Sequence, residues 1–172
     1  MPFSDVDTKP WSVAKIFGSN PKRILDVGTG SGIWVQWLRF NGFDGIVNGI
    51  EIWEPYVERF NLRDQYSKLF VTDARTWTDY DYDVVILGDV VEHMSKDDAV
   101  ALIDKIAGQA RFALIAIPIV HFIQGPEYGN PYETHVKDDW SHKEMLATFP
   151  QIVDFAQFEE TGAYWLEFER KS

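Results

Sequence analysis

Apolar positions fall in short blocks along the chain, and the blocks alternate between two periods. Ile24, Leu25 and Val27 form a run of strand length that ends in Gly28-Thr29-Gly30-Ser31-Gly32. Ile33 to Phe40 reads as a helix, closed by Asn41-Gly42. Ile46–Ile52 is a second strand, Pro55 opens a helix to about Tyr66, and Lys68–Val71 is a short third strand. Asp83–Leu87 is a continuous apolar run, the pattern of a strand covered on both faces. Ser95 and Asp98 make a capping box for a helix to Gly108, with Ala99, Leu102, Ile103 and Ile106 at helical spacing. Phe112–Ile117 is the fifth strand, ended by Pro118, and Ser141 with Glu144 caps a helix that Pro150 stops. Ile152–Phe158 and Ala163–Phe168 are too close for a crossover. They predict an antiparallel hairpin with its turn at Thr161-Gly162.

Strands alternating with helices predict a Rossmann-like, doubly wound α/β fold with a mostly parallel sheet: βα units, then the hairpin. No linker or repeat divides residues 1–172, which read as one domain. The N-terminal segment, residues 1–22, holds Pro2, Pro10 and Pro21 and a short helix from about Ser12 to Phe17. That helix either packs on the sheet or lies over the ligand. Ile119 to Trp140 is irregular, broken by Gly125-Pro126, Gly129 and Pro131. A loop of that length in a small domain usually carries function.

The candidate chemistry collects at the carboxyl ends of the predicted strands, where open α/β sheets bind ligands. Three glycines between a buried strand and a helix let the backbone turn sharply and approach a ligand closely. The helix N-terminus adds unpaired N–H groups there. The spacing is G-x-G-x-G, one residue short of the dinucleotide fingerprint. Glu51 ends the second strand nineteen residues past Gly32. A carboxylate at that distance can accept from both hydroxyls of a ribose. Asp73 and Gly88-Asp89 end the third and fourth strands at the same rim.

Composition narrows the classes. The net charge of −11 argues against general nucleic-acid binding. The chain has no cysteine, hence no disulfide, thiolate metal site or cysteine nucleophile. Neither a membrane-length apolar run nor a signal-peptide pattern is present, so a cytoplasmic location without membrane association is the expectation.

Taken in order, these features resemble the class I S-adenosylmethionine-dependent methyltransferases over about Lys22 to Phe168. The matching motifs are ILDVGTGSG (24–32), Glu51, Asp73-Ala74, DVVILGDVVEHM (83–94), ALIAIP (113–118) and the terminal hairpin. The resemblance implies a seven-stranded sheet whose last strand inserts antiparallel, and S-adenosylmethionine as cofactor. It implies that Gly28, Thr29, Gly30 and Gly32 pass close to the methionine part and that Asp26 helps hold the amino group. Glu51 would bind the ribose, with Ile52 beside it. Asp73 and Ala74 would meet the adenine, while Gly88 and Asp89 form the floor near the sulfonium.

Methyl transfer to oxygen or nitrogen needs positioning and, near neutral pH, a base. Glu92 and His93 after the fourth strand and His121 or His135 in the long loop are the candidates, histidine by virtue of its pKa; of the two loop histidines, His121 reads as structural or exposed and His135 as the one facing the cofactor. Tyr128, Tyr132 and His135 would line an acceptor pocket, with Trp140 anchoring the loop. The reading is methyl transfer to a small-molecule or sugar-like acceptor, at oxygen, with no metal ligand assigned. Homo-oligomerisation is compatible with it, because so small a core leaves substrate selection to loops or a second subunit. Three alternatives stand beside it. Asp89-x-x-Glu92-His93 with His135 is similar to a metal-binding pattern of magnesium-dependent small-RNA 2′-hydroxyl methyltransferases. The other two are a non-catalytic cofactor-binding subunit and a nicotinamide-dependent oxidoreductase.

Overall fold

Ile24, Leu25 and Val27 give β1 (Arg23–Val27) apolar side chains for both faces, so it can run through the middle of a sheet. β4 (Val84–Gly88) does the same beside it. A fully buried Val, Leu or Ile is worth about 1.5–3 kcal/mol over exposure. The seven such side chains of these two strands therefore outweigh the desolvation of the one carboxyl they carry, Asp26. The computed structural model describes residues 5–169; Pro2, with the rest of residues 1–4 and 170–172, lies outside the described residues.

The sheet has seven strands in the order β3-β2-β1-β4-β5-β7-β6. β2 (Ile46–Glu51) and β3 (Lys68–Val71) extend one side in parallel, and β5 (Phe112–Pro118) pairs parallel to β4. β7 (Thr161–Glu167) inserts antiparallel between β5 and β6 (Ile152–Gln157). The order reverses between β1 and β4, which opens a crevice at the carboxyl ends of those two strands.

Helices cover both faces. On one, α1 (Lys9–Gly18), α2 (Ile33–Phe40), α3 (Glu54–Arg59) and α4 (Leu62–Gln65) bury Ile16, Trp34, Val35, Leu38, Val57 and Leu62 against Ile24, Val84 and Ile86. On the other, α5 (Lys96–Ala107) and α6 (His142–Thr148) bury Leu102, Ile103, Ile106 and Met145 against Leu25, Val27, Val85 and Leu87. Ser95 and Ser141 cap α5 and α6 as expected, accepting from the backbone N–H of Asp98 and Glu144. The Asp98 carboxylate turns instead towards Arg75, 3.6 Å away.

Several boundaries differ from the sequence reading. α1 starts three residues before Ser12, with Pro10 in its first turn, where proline's fixed φ suits a helix start. The helix expected from Pro55 to Tyr66 is two pieces, because Asn61 adopts a left-handed φ of 50°. No helix joins β3 to β4 among the described residues; Trp77 of that connection packs on Phe70 instead. Thr161 and Gly162 lie in β7, opposite Pro118 and Ile117, so the hairpin turns one step earlier, at Glu159-Glu160.

Gly88 marks where α2 meets the crevice. A Cβ there would stand 1.8 Å from Trp34 Nε1, so only glycine lets the indole lie across the end of β4. Gly88→Ala is expected to push Trp34 out of place and lower stability by about 1–3 kcal/mol in urea unfolding, the usual cost of overpacking. An unchanged unfolding midpoint would show that the indole relaxes freely.

Candidate active site

The glycine loop is tied to the neighbouring strand before it touches any ligand. The N–H groups of Gly28 and Thr29 both donate to the Ile50 carbonyl, at 2.8 and 3.2 Å. The buried Glu51 carboxylate then clamps the loop: Oε2 accepts from Gly30 N (3.0 Å) and Thr29 Oγ1 (3.1 Å), Oε1 from Trp53 N (2.8 Å). Burial raises the Glu51 pKa, and these three donors pull it back. Gly32 starts α2 with φ +80°, and a Cβ there would strike the Gln65 side chain.

A cleft opens above the crevice, at the carboxyl ends of β1 and β4. Gly28, Thr29, Gly30, Glu51, Ile52, Asp73, Ala74, Gly88, Asp89 and His93 line it, all singled out from the sequence. Asp26, Gly32, Glu92 and His135 do not. Gly32 serves the turn and the packing on Gln65. Asp26 lies beneath the loop, wholly buried, where Tyr66 donates to Oδ2 and Oδ1 has no hydrogen-bond partner. Burial pushes Asp26 up to about 7, against the pull of the Tyr66 hydrogen bond and of Lys9.

Residues 12–112 match the family described as "Methyltransferase domain". The chain belongs to the class I S-adenosylmethionine-dependent methyltransferases. No curated protein matches it in sequence. Among solved structures, the methyltransferase domain of bacterial CtHen1-CN is similar over 95% of this chain and 100% of its own, with TM-score 0.70 and 17% identity. The N-terminal domain of EvdMO1, solved with SAH bound, covers 96% of this chain and 83% of its own (TM-score 0.66, 13% identity). A S-adenosylmethionine-dependent methyltransferase from Clostridium acetobutylicum ATCC 824 covers 95% and 92% (TM-score 0.70, 10% identity). At such identities the likeness is one of fold. No helix among the described residues is long and apolar enough to cross a membrane.

The rest of the methyltransferase's cleft was not legible in the sequence. Arg75 grips Asp73 with its guanidinium, at 2.7 to 3.1 Å, and holds that carboxyl below its usual range. Tyr56 of α3 donates to Glu133 at 2.9 Å, which pins the long loop over the cleft. Tyr132 lines the cleft as expected. Tyr128 points outward under Arg59, and Trp140 is buried against Phe149, the anchoring role expected of it.

The same loop brings His135 to the end of β4. The rings of His93 and His135 are 4.9 Å apart. Each Nδ1 faces a backbone carbonyl, His93 that of Thr134 (3.2 Å) and His135 that of Phe122 (2.6 Å). A carbonyl only accepts, so Nδ1 carries the proton and Nε2 the lone pair. Glu92 sits behind them, 2% exposed, and neither carboxylate oxygen has a hydrogen-bond partner. Glu92, His93 and His135 each bring one donor atom within 4.8 Å of the others. Burial lowers His93 to about 4 and His135 less, while burial and then Asp89 raise Glu92 well above the carboxylate range. Asp89, the first residue of the sequence pattern, lines the cleft with φ 55° and is outside this group.

Asp26 makes a pH dependence testable. Its pKa is about 7 folded, against an unfolded value near 4, so between these the folded state holds the extra proton. Stability from this group is therefore complete below about pH 4 and is lost as pH rises through 7, by at most about 4 kcal/mol. Asp26→Asn lacks the titration. Its Tm relative to the parent should become more favourable from pH 5 to pH 8, read by calorimetry. A pH-independent difference would mean that Asp26 titrates as in the unfolded chain.

Proposed function

We propose that residues 1–172 act as a single domain that transfers the methyl group of S-adenosylmethionine to an oxygen of a small-molecule or sugar-like acceptor. The observation that carries the choice of oxygen is the imidazole pair at the end of β4, of which His93 lines the cleft and His135 packs against it, each ring presenting Nε2 as its lone-pair nitrogen. Gly28, Thr29 and Gly30 would hold the methionine part of the cofactor, Glu51 the ribose hydroxyls, Ile52, Asp73 and Ala74 the adenine, and Gly88 and Asp89 the region of the sulfonium; when bound, the cofactor supplies the methyl group. The acceptor oxygen attacks the methyl carbon, the sulfur–carbon bond breaks, and the hydroxyl proton leaves to a base. His93, lowered to about 4, is a poor acceptor at neutral pH. His135, less buried, takes the proton in this reading, and His93 and Glu92 position it.

One observation favours a second reading. A buried carboxylate with both oxygens unpartnered, beside two imidazoles with available lone pairs, is a set of donors that fits a divalent cation. Glu92, His93 and His135 would hold it, and the ion would lower the pKa of an acceptor hydroxyl. Mixed nitrogen and oxygen donors suit manganese better than magnesium. A 2′-hydroxyl of RNA is the less fitting acceptor, since the chain carries a net charge of −11.

Calorimetric titration with S-adenosylhomocysteine tests the cofactor site. Glu51→Ala is expected to weaken binding at least tenfold, the loss of charge-assisted hydrogen bonds worth about 1.5–3 kcal/mol; unchanged affinity would refute the ribose role. Titration with manganese chloride separates the two readings. The metal reading expects binding by the parent and its loss in Glu92→Gln, with methyl transfer to a hydroxyl panel abolished by chelator. The metal-free reading expects activity that survives chelation and falls at least a hundredfold in His135→Ala.

A further inference from the structure

The charges around the cleft do not match those of the cofactor at one point. Glu51, Asp73, Asp89 and Glu133 line it, and Arg75 is its one lining cation among the described residues. Arg75 is spent on Asp73, at the end assigned above to the adenine. Such a cleft suits the sulfonium and the ammonium of S-adenosylmethionine. It offers no positive group for the α-carboxylate.

The missing cation lies one layer behind. Lys9, the first residue of α1, is completely buried. Its ammonium lies 3.7 Å from the ring centroid of Trp34, and Trp34 lines the cleft. The charges that act on it most strongly are Asp89 and Asp26, at the ends of β4 and β1. Lys9 therefore sits at the crevice where the strand order reverses. Among the described residues the one hydrogen bond of its ammonium goes to the Asp5 carbonyl, at 2.8 Å, although an ammonium has three protons to give. The groups beside it are also short of partners: Trp34 Nε1 over Gly88 and Ser12 Oγ, one turn along α1, are both buried without a hydrogen bond. Burial lowers Lys9 to about 8, which leaves it charged at neutral pH.

We propose that Lys9 is the counter-ion of the cofactor's α-carboxylate, with the Trp34 indole N–H as second donor, so that α1 closes the methionine end of the cleft. This rests on the cofactor reading above. Of the two places that the sequence allowed for the N-terminal helix, α1 takes the first, packed on the sheet, and its first residue would reach the ligand as well. A carboxylate at this point would satisfy donors that the protein alone leaves unused. It would also offset the acidic groups that crowd the crevice.

The test compares two ligands. S-adenosylhomocysteine carries the amino-acid end, and 5′-methylthioadenosine lacks it while keeping the nucleoside and sulfur. Lys9→Met is expected to weaken S-adenosylhomocysteine at least tenfold by calorimetry and to leave 5′-methylthioadenosine within twofold. Trp34→Phe keeps an aromatic face but removes the five-membered ring with its N–H; it should weaken S-adenosylhomocysteine several-fold while leaving 5′-methylthioadenosine within twofold, a selectivity that lost packing alone would not give, and it decides the matter if Lys9→Met does not fold. Equal losses for both ligands would assign these residues to packing and overturn the proposal. If the parent binds neither ligand, the cofactor reading itself fails, and the proposal with it.

Discussion

The Glu51 carboxylate, buried under the glycine loop, is the contact on which the cleft depends. A loop with three left-handed glycines has little reason of its own to hold one shape, because glycine gives up the most backbone freedom on ordering. Here the ends of two adjacent strands supply the fixed points. Ile50 accepts from two loop N–H groups and Glu51 from a third and from a threonine hydroxyl. The charge is costly to bury, and the donors that repay it are the same ones that fix the loop. The shape of the cofactor cleft is thus decided by pairing between β1 and β2.

Around that fixed point the methyltransferase concentrates acid. Asp26, Glu51, Asp89 and Glu92 stand at the ends of three neighbouring strands, most of them deeply buried. Crowded carboxyls in a low dielectric raise one another's pKa and favour any cation placed among them. A sulfonium cofactor is such a cation, and it loses its charge as the methyl group leaves.

The opposite wall is built from a segment whose regular structure is one 3-10 turn, Pro131–Glu133. Glu133 bonds to Tyr56, Gln124 donates to the Glu133 carbonyl, and Val136 and Lys137 donate to the Glu92 carbonyl. These bonds replace the ladder that a strand would supply, and they carry His135 to His93. The loop is accordingly held in place while keeping Ile123 and Val136 exposed.

Most of this fold was legible in the chain because its signals are local. The bounds of α2, the caps of α5 and α6, the apolar run of β4 and the glycine loop each follow from residues within a few positions of one another. Most residues expected at the ligand line the cleft for the same reason: a parallel sheet puts all its strand ends on one rim. Tertiary structure alone decided the rest. Asn61 broke a helix that periodicity continued, because a left-handed residue is set by how the two pieces pack. Asp26 and Gly32 left the cleft wall, since the strand's pleat and the start of α2 turned them into the protein. Lys9, Trp34 and Arg75 gained their places, and His93 met His135, through contacts between segments that no local pattern relates. Hydrophobic periodicity records which face of an element is buried; the meeting of two polar groups depends on how whole elements pack, and that information is spread over the entire core.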